Sequence, residues 1–184
     1  MGQRPSRASL VTRTITALSF ALLVGLAWGV SSGEELRRAA ERAINNLKSS
    51  DSALTNFFEC SAGYVVFPSV RRSGRYLPEE HVRGVVYEKG KPAGEAVLTE
   101  VNAERQGSAA PFHEAIFFET AEALDNFKQG RFVISSPVSA VAVAEGAAAT
   151  AKYRKGAVAF VLPKDGLLET IVIGEQKFSY QPQD

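Results

Sequence analysis

The stretch "GVVYEKGKPAGEAVLTEV", residues 84–101, sets the fold class. Two apolar runs rich in valine flank "KGKPAG", whose glycines and proline interrupt any helical period. Run, turn and run read as two strands that return on each other. Upstream, "YVVFP" at 64–68 is a short, nearly continuous apolar run stopped by Pro68, and the three runs together predict a β meander.

On the N-terminal side of the meander the period is that of a helix. Leu36, Ala40, Ala43, Ile44 and Leu47 recur at helical spacing, with Arg37, Arg38, Glu41, Arg42 and Lys48 around the other side. "SSDS" at 49–52 breaks the pattern and recaps a second short helix with Leu54, Phe57 and Phe58 on its apolar side, ended by Gly63. On the C-terminal side, "NAERQGSAAPFHE" (102–114) is polar and turn-rich and reads as a loop, after which "AIFF" resumes as strand. "TAEALDNFKQG" (120–130) predicts a brief helix, with Thr120 as its cap, Leu124 and Phe127 on one face and Gly130 as its stop. "RFVIS" is strand again, and in "GAVAFVLPKDGLLETIVIG" (156–174) the turn signal at Pro163–Gly166 predicts a hairpin. The expected architecture is α+β and mainly β. A helix or helix pair is followed by antiparallel strands forming a sandwich or barrel-like sheet, with one short inserted helix.

The alanine-rich stretch "SSPVSAVAVAEGAAATAKYRKGAVAF", residues 135–160, is bracketed by Pro137, Gly146 and Gly156. As a strand it places Ser139, Val141 and Val143 on one face and Ala140, Ala142 and Ala144 on the other. The alanine face is nearly bare backbone, suited to close packing and to the approach of an extended apolar ligand.

The first thirty-two residues stand apart from the fold. Arg4, Arg7 and Arg13 precede "ITALSFALLVGLAWGV" (15–30), and the small residues of "VSSG" follow, which is the layout of a secretory signal. An uncleaved inner-membrane anchor is the alternative, although a spanning helix needs about 20 apolar residues. The expected organisation is therefore a leader over 1–32 and a single domain over 33–184, with a helical lead at 33–62 and a mainly β body at 63–182. The location that follows is periplasmic or secreted after cleavage, or the inner membrane if the anchor is kept. Without the leader's three arginines, 18 Lys and Arg stand against 20 Asp and Glu, a net charge of −2 that disfavours nucleic acid as a partner. The single cysteine, Cys60, forms no internal disulfide, so the core must suffice without one.

Catalytic patterns are thin. His81 and His113 lie in turn-like contexts without the spacing of a zinc-binding helix and read as solvated loop histidines, and Cys60 beside Phe57 and Phe58 reads as a small buried hydrophobe. No serine sits in GxSxG, and there is no phosphate-cradling glycine loop. No metal, no cofactor and no enzymatic activity are expected. Cations, in contrast, cluster in two turns that each carry a tyrosine: Arg71, Arg72 and Arg75 with Tyr76, and Lys152, Arg154 and Lys155 with Tyr153. A basic loop with an amphipathic ring suits an anionic lipid surface, at about 1 kcal/mol per cation, so one cluster supplies only about 3 kcal/mol.

The segments "SAGYVVFPSV" (61–70), "IFFETAEALDNFKQGRFVIS" (116–135) and "GLLETIVIGEQKFSYQP" (166–182), with a small-residue strand between the last two, resemble the SYLF lipid-binding domain in the form found in exported bacterial proteins. The resemblance covers most of residues 54–182 and rests on order and composition. Between the first strand and the strand before the helix, where the family usually has a glycine-rich stretch, this chain has "SGRYLPEEHVRG" and "NAERQGSAAPFHE". The resemblance implies a mainly β domain with helical additions that binds phospholipids or phosphoinositides, contact with actin in eukaryotic members, and no catalysis. The function expected is an exported lipid-binding domain with a phospholipid or membrane surface as partner. The alternatives are a periplasmic structural or stress-related protein acting through protein contacts, and a carrier of a small apolar ligand.

Overall fold

A computed structural model describes residues 15–70, 82–102, 111–134, 141–164 and 175–183. The chain divides into two units, residues 1–35 and 36–184. The described part of the first is helical from Ile15 onward and is the leading portion of helix α1 (Ile15–Ser50); the second holds the rest of α1 and all other elements. Among the described residues no helix is long and apolar enough to cross a membrane.

In the second unit the order after α1 is α2 (Leu54–Cys60), β1 (Gly63–Val70), β2 (Val82–Glu88), β3 (Lys91–Asn102), β4 (Phe112–Phe118), α3 (Ala121–Lys128), β5 (Val133–Ile134), β6 (Val141–Ala142), α4 (Ala147–Thr150), β7 (Ala157–Pro163) and β8 (Glu175–Pro182). The strands form one sheet in the order β5-β8-β3-β2-β1-β4-β7-β6, antiparallel throughout except for the β6–β7 pair. The fold is α+β with mostly strands, an eight-stranded mixed sheet curled into a half-barrel.

Two observations show how far the sheet curls. A flat sheet with strands about 4.8 Å apart would hold β8 and β4, four places apart, roughly 19 Å from each other. Yet Gln176 on β8 donates from Nε2 to Glu114 Oε2 on β4 at 3.1 Å, and the Phe67 ring on β1 lies 5.7 Å from Phe178 on β8. The two rims tell the same story: β5 and β6 sit at opposite edges, but six residues join Ile134 to Val141. That connection cannot reach much beyond about 25 Å, whereas a flat sheet would place the rims roughly 34 Å apart.

The curl creates two cores on opposite faces. The inner one gathers Val65, Phe67, Leu98, Ile116, Phe118 and Phe178 with Leu124 and Phe127 of α3. Gly84 admits the Phe67 ring there: a Cβ at this position would stand 2.6 Å from it. The outer core packs Ala40, Ala43 and Leu47 of α1, with Leu54 and Phe58 of α2, onto Tyr64, Val66, Phe117 and Phe160. Strands β1 and β4 are covered on both faces, which is why "YVVFP" and "AIFF" read as unbroken apolar runs. The expected meander is present as β1-β2-β3. The inserted helix is α3, with Thr120 Oγ accepting from the Ala123 amide at 3.2 Å and Gly130 following it at φ +67°.

Three expectations are corrected. Phe112, His113 and Glu114, read as loop, belong to β4 and are buried. The sequence "APFHE" has too few apolar residues to announce a strand, and its polar members are accepted because each meets a buried partner. Cys60, read as buried, is exposed at the end of α2, its thiol hydrogen-bonded to Asn56 Oδ1 at 3.3 Å. Phe58, two positions earlier, takes the buried place that the cysteine was expected to fill. Among the described residues the alanine stretch is not one continuous strand: it is strand at Val141–Ala142, turns at Gly146 (φ +80°), forms the short helix α4 and returns to strand in β7 at Ala157. For the hairpin expected around Pro163–Gly166, the returning strand at 165–174 lies outside the described residues. The next described strand, β8, pairs with β3 and β5 and not with β7.

His113 is the buried polar joint between α1 and the sheet. Its Nδ1 donates to the Pro68 carbonyl at 2.7 Å, and Asn46 Nδ2 approaches Nε2 at 3.2 Å, the arrangement of a neutral ring. Burial holds its pKa below the usual value, opposed by the Pro68 hydrogen bond and assisted by the Lys164 charge. The unfolded chain therefore binds more protons than the folded one below about pH 6.5, so this residue's contribution is complete above that pH and fades as pH falls through it. Urea midpoints taken at pH 7.5 and 5.0 are expected to drop less for His113→Gln than for the parent. Equal drops would remove His113 from the acid sensitivity.

Candidate functional site

Of the residues singled out in the sequence, Arg71, Arg72, Arg75 and Tyr76 lie outside the described residues, as do Ala140 and His81. The second basic cluster is described, and two of its members, Lys152 and Arg154, line a cavity. After α4 the chain runs extended through Ala151 to Arg154, and extended backbone sends successive side chains to opposite sides. Lys152 and Arg154 thus face one way, into a cavity of about 250 Å³. Tyr153, between them, faces the other way.

Tyr153 is half-buried, its ring 5.6 Å from that of Phe57, and burial, then the charges of Glu119 and Cys60, push its hydroxyl pKa up to about 12. The ring packs against the outer core and remains partly exposed, beside the exposed Lys152, Arg154 and Lys155. Lys155 and Gly156 then make the two-residue turn of a hairpin, with φ of +52° and +80° and Arg154 and Ala157 exchanging backbone hydrogen bonds at 2.8 and 3.2 Å. Lys155 stands exposed at that turn, next to Arg154.

The cavity lies among β6, α4 and β7. Val141, Ala147, Ala157 and Val158 form its apolar wall, and Thr150, Lys152 and Arg154 its polar one. Ala142 and Ala144, the described members of the smooth face, are half-exposed, and Ala142 pairs with Val161 at the rim of the sheet. Val141 and Val143, on the opposite face, pack into the outer core. What the site can do is hold an anionic group between two cations with a few methylene groups against the valine and alanine wall. Its volume is below the range of about 300–1,000 Å³ for drug-sized ligands, which suits a headgroup and not a whole acyl chain. Among the described residues no three His, Cys, Asp or Glu side chains converge to hold a metal.

One residue that positions the site was not legible as such. Asp51, in the "SSDS" break, is 2% exposed. Its Oδ1 accepts from the Ala53 amide at 3.0 Å, and its Oδ2 reaches the Ala148 amide of α4 at 2.7 Å, across 97 residues of sequence. This carboxylate fastens the helix that walls the cavity to the turn between α1 and α2. The sequence marked "SSDS" as a break that recaps the next helix, but singled out neither Asp51 nor its distant partner. Asp51→Ala is expected to cost about 2–3 kcal/mol in urea unfolding, because the Ala148 N–H is left buried without an acceptor. A cost below about 0.5 kcal/mol would show that the Ala148 amide finds water instead.

Scanned against protein-family models and against curated proteins, the sequence matches none.

Proposed function

We propose that this chain is an exported SYLF-type domain that binds anionic phospholipid and catalyses no reaction, its leader being cleaved or kept as an inner-membrane anchor. The observation that carries the reading is the cavity at the end of the alanine stretch, where Lys152 and Arg154 share one mouth above an apolar wall. Two guanidinium or ammonium groups at a headgroup-sized opening fit a phosphate, and the exposed Lys155 adds a third cation to the same loop. The order of elements, from "SAGYVVFPSV" to "QKFSYQP", supports the family reading.

Flotation of the full-length chain with liposomes of phosphatidylcholine alone, or with added phosphatidylglycerol, tests it. Binding that rises with the anionic fraction is expected. Equal recovery with both compositions would overturn the lipid reading and favour a protein that works through protein contacts.

A further inference from the structure

A second cavity, also of about 250 Å³, lies where α1 borders the part of the sheet that the helices leave uncovered. Arg37 reaches it from α1, Arg83 from β2, Glu95 from β3, and Gln181 and Gln183 from the end of β8. Register explains the convergence. Val85 pairs with Glu95 and Glu95 with Gln181, so these side chains rise from the same face of three adjacent strands.

The charges in this cavity are only partly satisfied by one another. Arg83 directs both Nε and Nη2 to one oxygen of Glu95, Oε2. The other oxygen, Oε1, has no hydrogen-bond partner among the described residues, and Arg37 pairs with no carboxylate among them. A free carboxylate oxygen, a free guanidinium and two primary amides therefore face a common space. A purely anionic ligand would meet Arg37 but be repelled by Glu95; a purely cationic one would meet the reverse.

We propose that this cavity binds a small zwitterion, its anionic oxo group held by Arg37 and its ammonium by Glu95 Oε1, with Gln181 and Gln183 completing the hydrogen bonds. Two sources carry that chemistry: the amino-carboxylate of an amino acid or dipeptide, and the ethanolamine phosphate of a lipid headgroup. The site is separate from the one containing Lys152 and Arg154, and it stands whether or not vesicles bind there.

Titration of the full-length chain with alanyl-alanine, phosphoethanolamine, acetate and ethylammonium, followed through the backbone amide resonances of Gly94, Glu95, Gln181 and Gln183, tests the proposal. At least one zwitterion is expected to bind at least tenfold more tightly than acetate or ethylammonium, and the tighter of the two identifies the source. Glu95→Gln is expected to weaken zwitterion binding at least tenfold and to strengthen acetate binding, since Arg83 is then released toward the anion; Arg37→Gln should weaken both. The Arg83–Glu95 pair is solvent-exposed, so melting temperatures of these variants should stay near the parent's. Acetate binding as tightly as both zwitterions, no perturbation by either zwitterion, or unchanged zwitterion affinity in Glu95→Gln would each overturn the assignment.

Discussion

Neutralising Lys152, Arg154 and Lys155 together is expected to lower affinity for anionic vesicles by about a hundredfold. Each cation near such a surface contributes about 1 kcal/mol, and three contribute about 3 kcal/mol, roughly two decades in the dissociation constant. The substitutions should be Lys152→Gln, Arg154→Gln and Lys155→Asn, because position 155 has φ +52° and asparagine tolerates that conformation better than most residues. Tyr153 stays in place and keeps the loop docked on Phe57, so a loss can be assigned to charge and not to a displaced loop. Raising salt should reproduce the effect in the parent, since exposed charges are screened beyond about 8 Å at physiological ionic strength. If the triple variant floats with anionic liposomes like the parent and salt changes nothing, the cluster is a solvated turn.

Phe117→Ala should be the most destabilising single truncation in the outer core, at about 3–5 kcal/mol. Phe117 is fully buried on β4, with ring centroids 4.8 Å from Phe58, 5.5 Å from Phe57, 5.6 Å from Tyr64 and 5.8 Å from Phe160. It is thus the ring on which α2, β1 and β7 all rest. Removing it deletes contacts in every direction, and the surrounding rings, held by the sheet on one side and α1 and α2 on the other, have little freedom to close the space. For a domain of this size the melting temperature should fall by on the order of 10 °C. A fall of only one or two degrees would mean that α2 collapses into the gap.

How much of this was readable depends on whether each segment's partners lie nearby in sequence. The β1-β2-β3 meander and α3 were legible because their signals are local: an apolar run, a Lys-Gly turn, a threonine cap three residues before the amide it accepts from. Residues 111–114 were not. The strand character of Phe112, His113 and Glu114 comes from neighbours on β1 and β7, and the carboxylate of Glu114 is accommodated by Gln176, sixty-two positions away. The alanine stretch misled for a related reason. Alanine serves strand and helix alike, and what makes 147–150 a helical turn is the distant carboxylate of Asp51. For the candidate site, the sequence grouped Lys152, Tyr153 and Arg154 as one basic loop, whereas in the structure Lys152 and Arg154 line a cavity and the Tyr153 ring packs on Phe57, a separation that needs the partners of each side chain and not the sequence alone.

The six-residue tie between the rims also shapes the order in which the sheet is assembled. β2 and β3 meet across a two-residue turn, a contact that forms on the scale of microseconds, whereas β3 meets β8 by bringing Leu98 to Phe178, eighty positions along the chain. Among the described strands β5 has β8 as its one neighbour, so the pairing of β5 waits until β8 has arrived. β6, tethered to β5, cannot settle far from it meanwhile. Pairing of β8 with β3 on one side and β5 on the other therefore completes that rim alone, and because loop-closure entropy must be met before any of that pairing is gained, refolding is expected to show a late phase of milliseconds or longer.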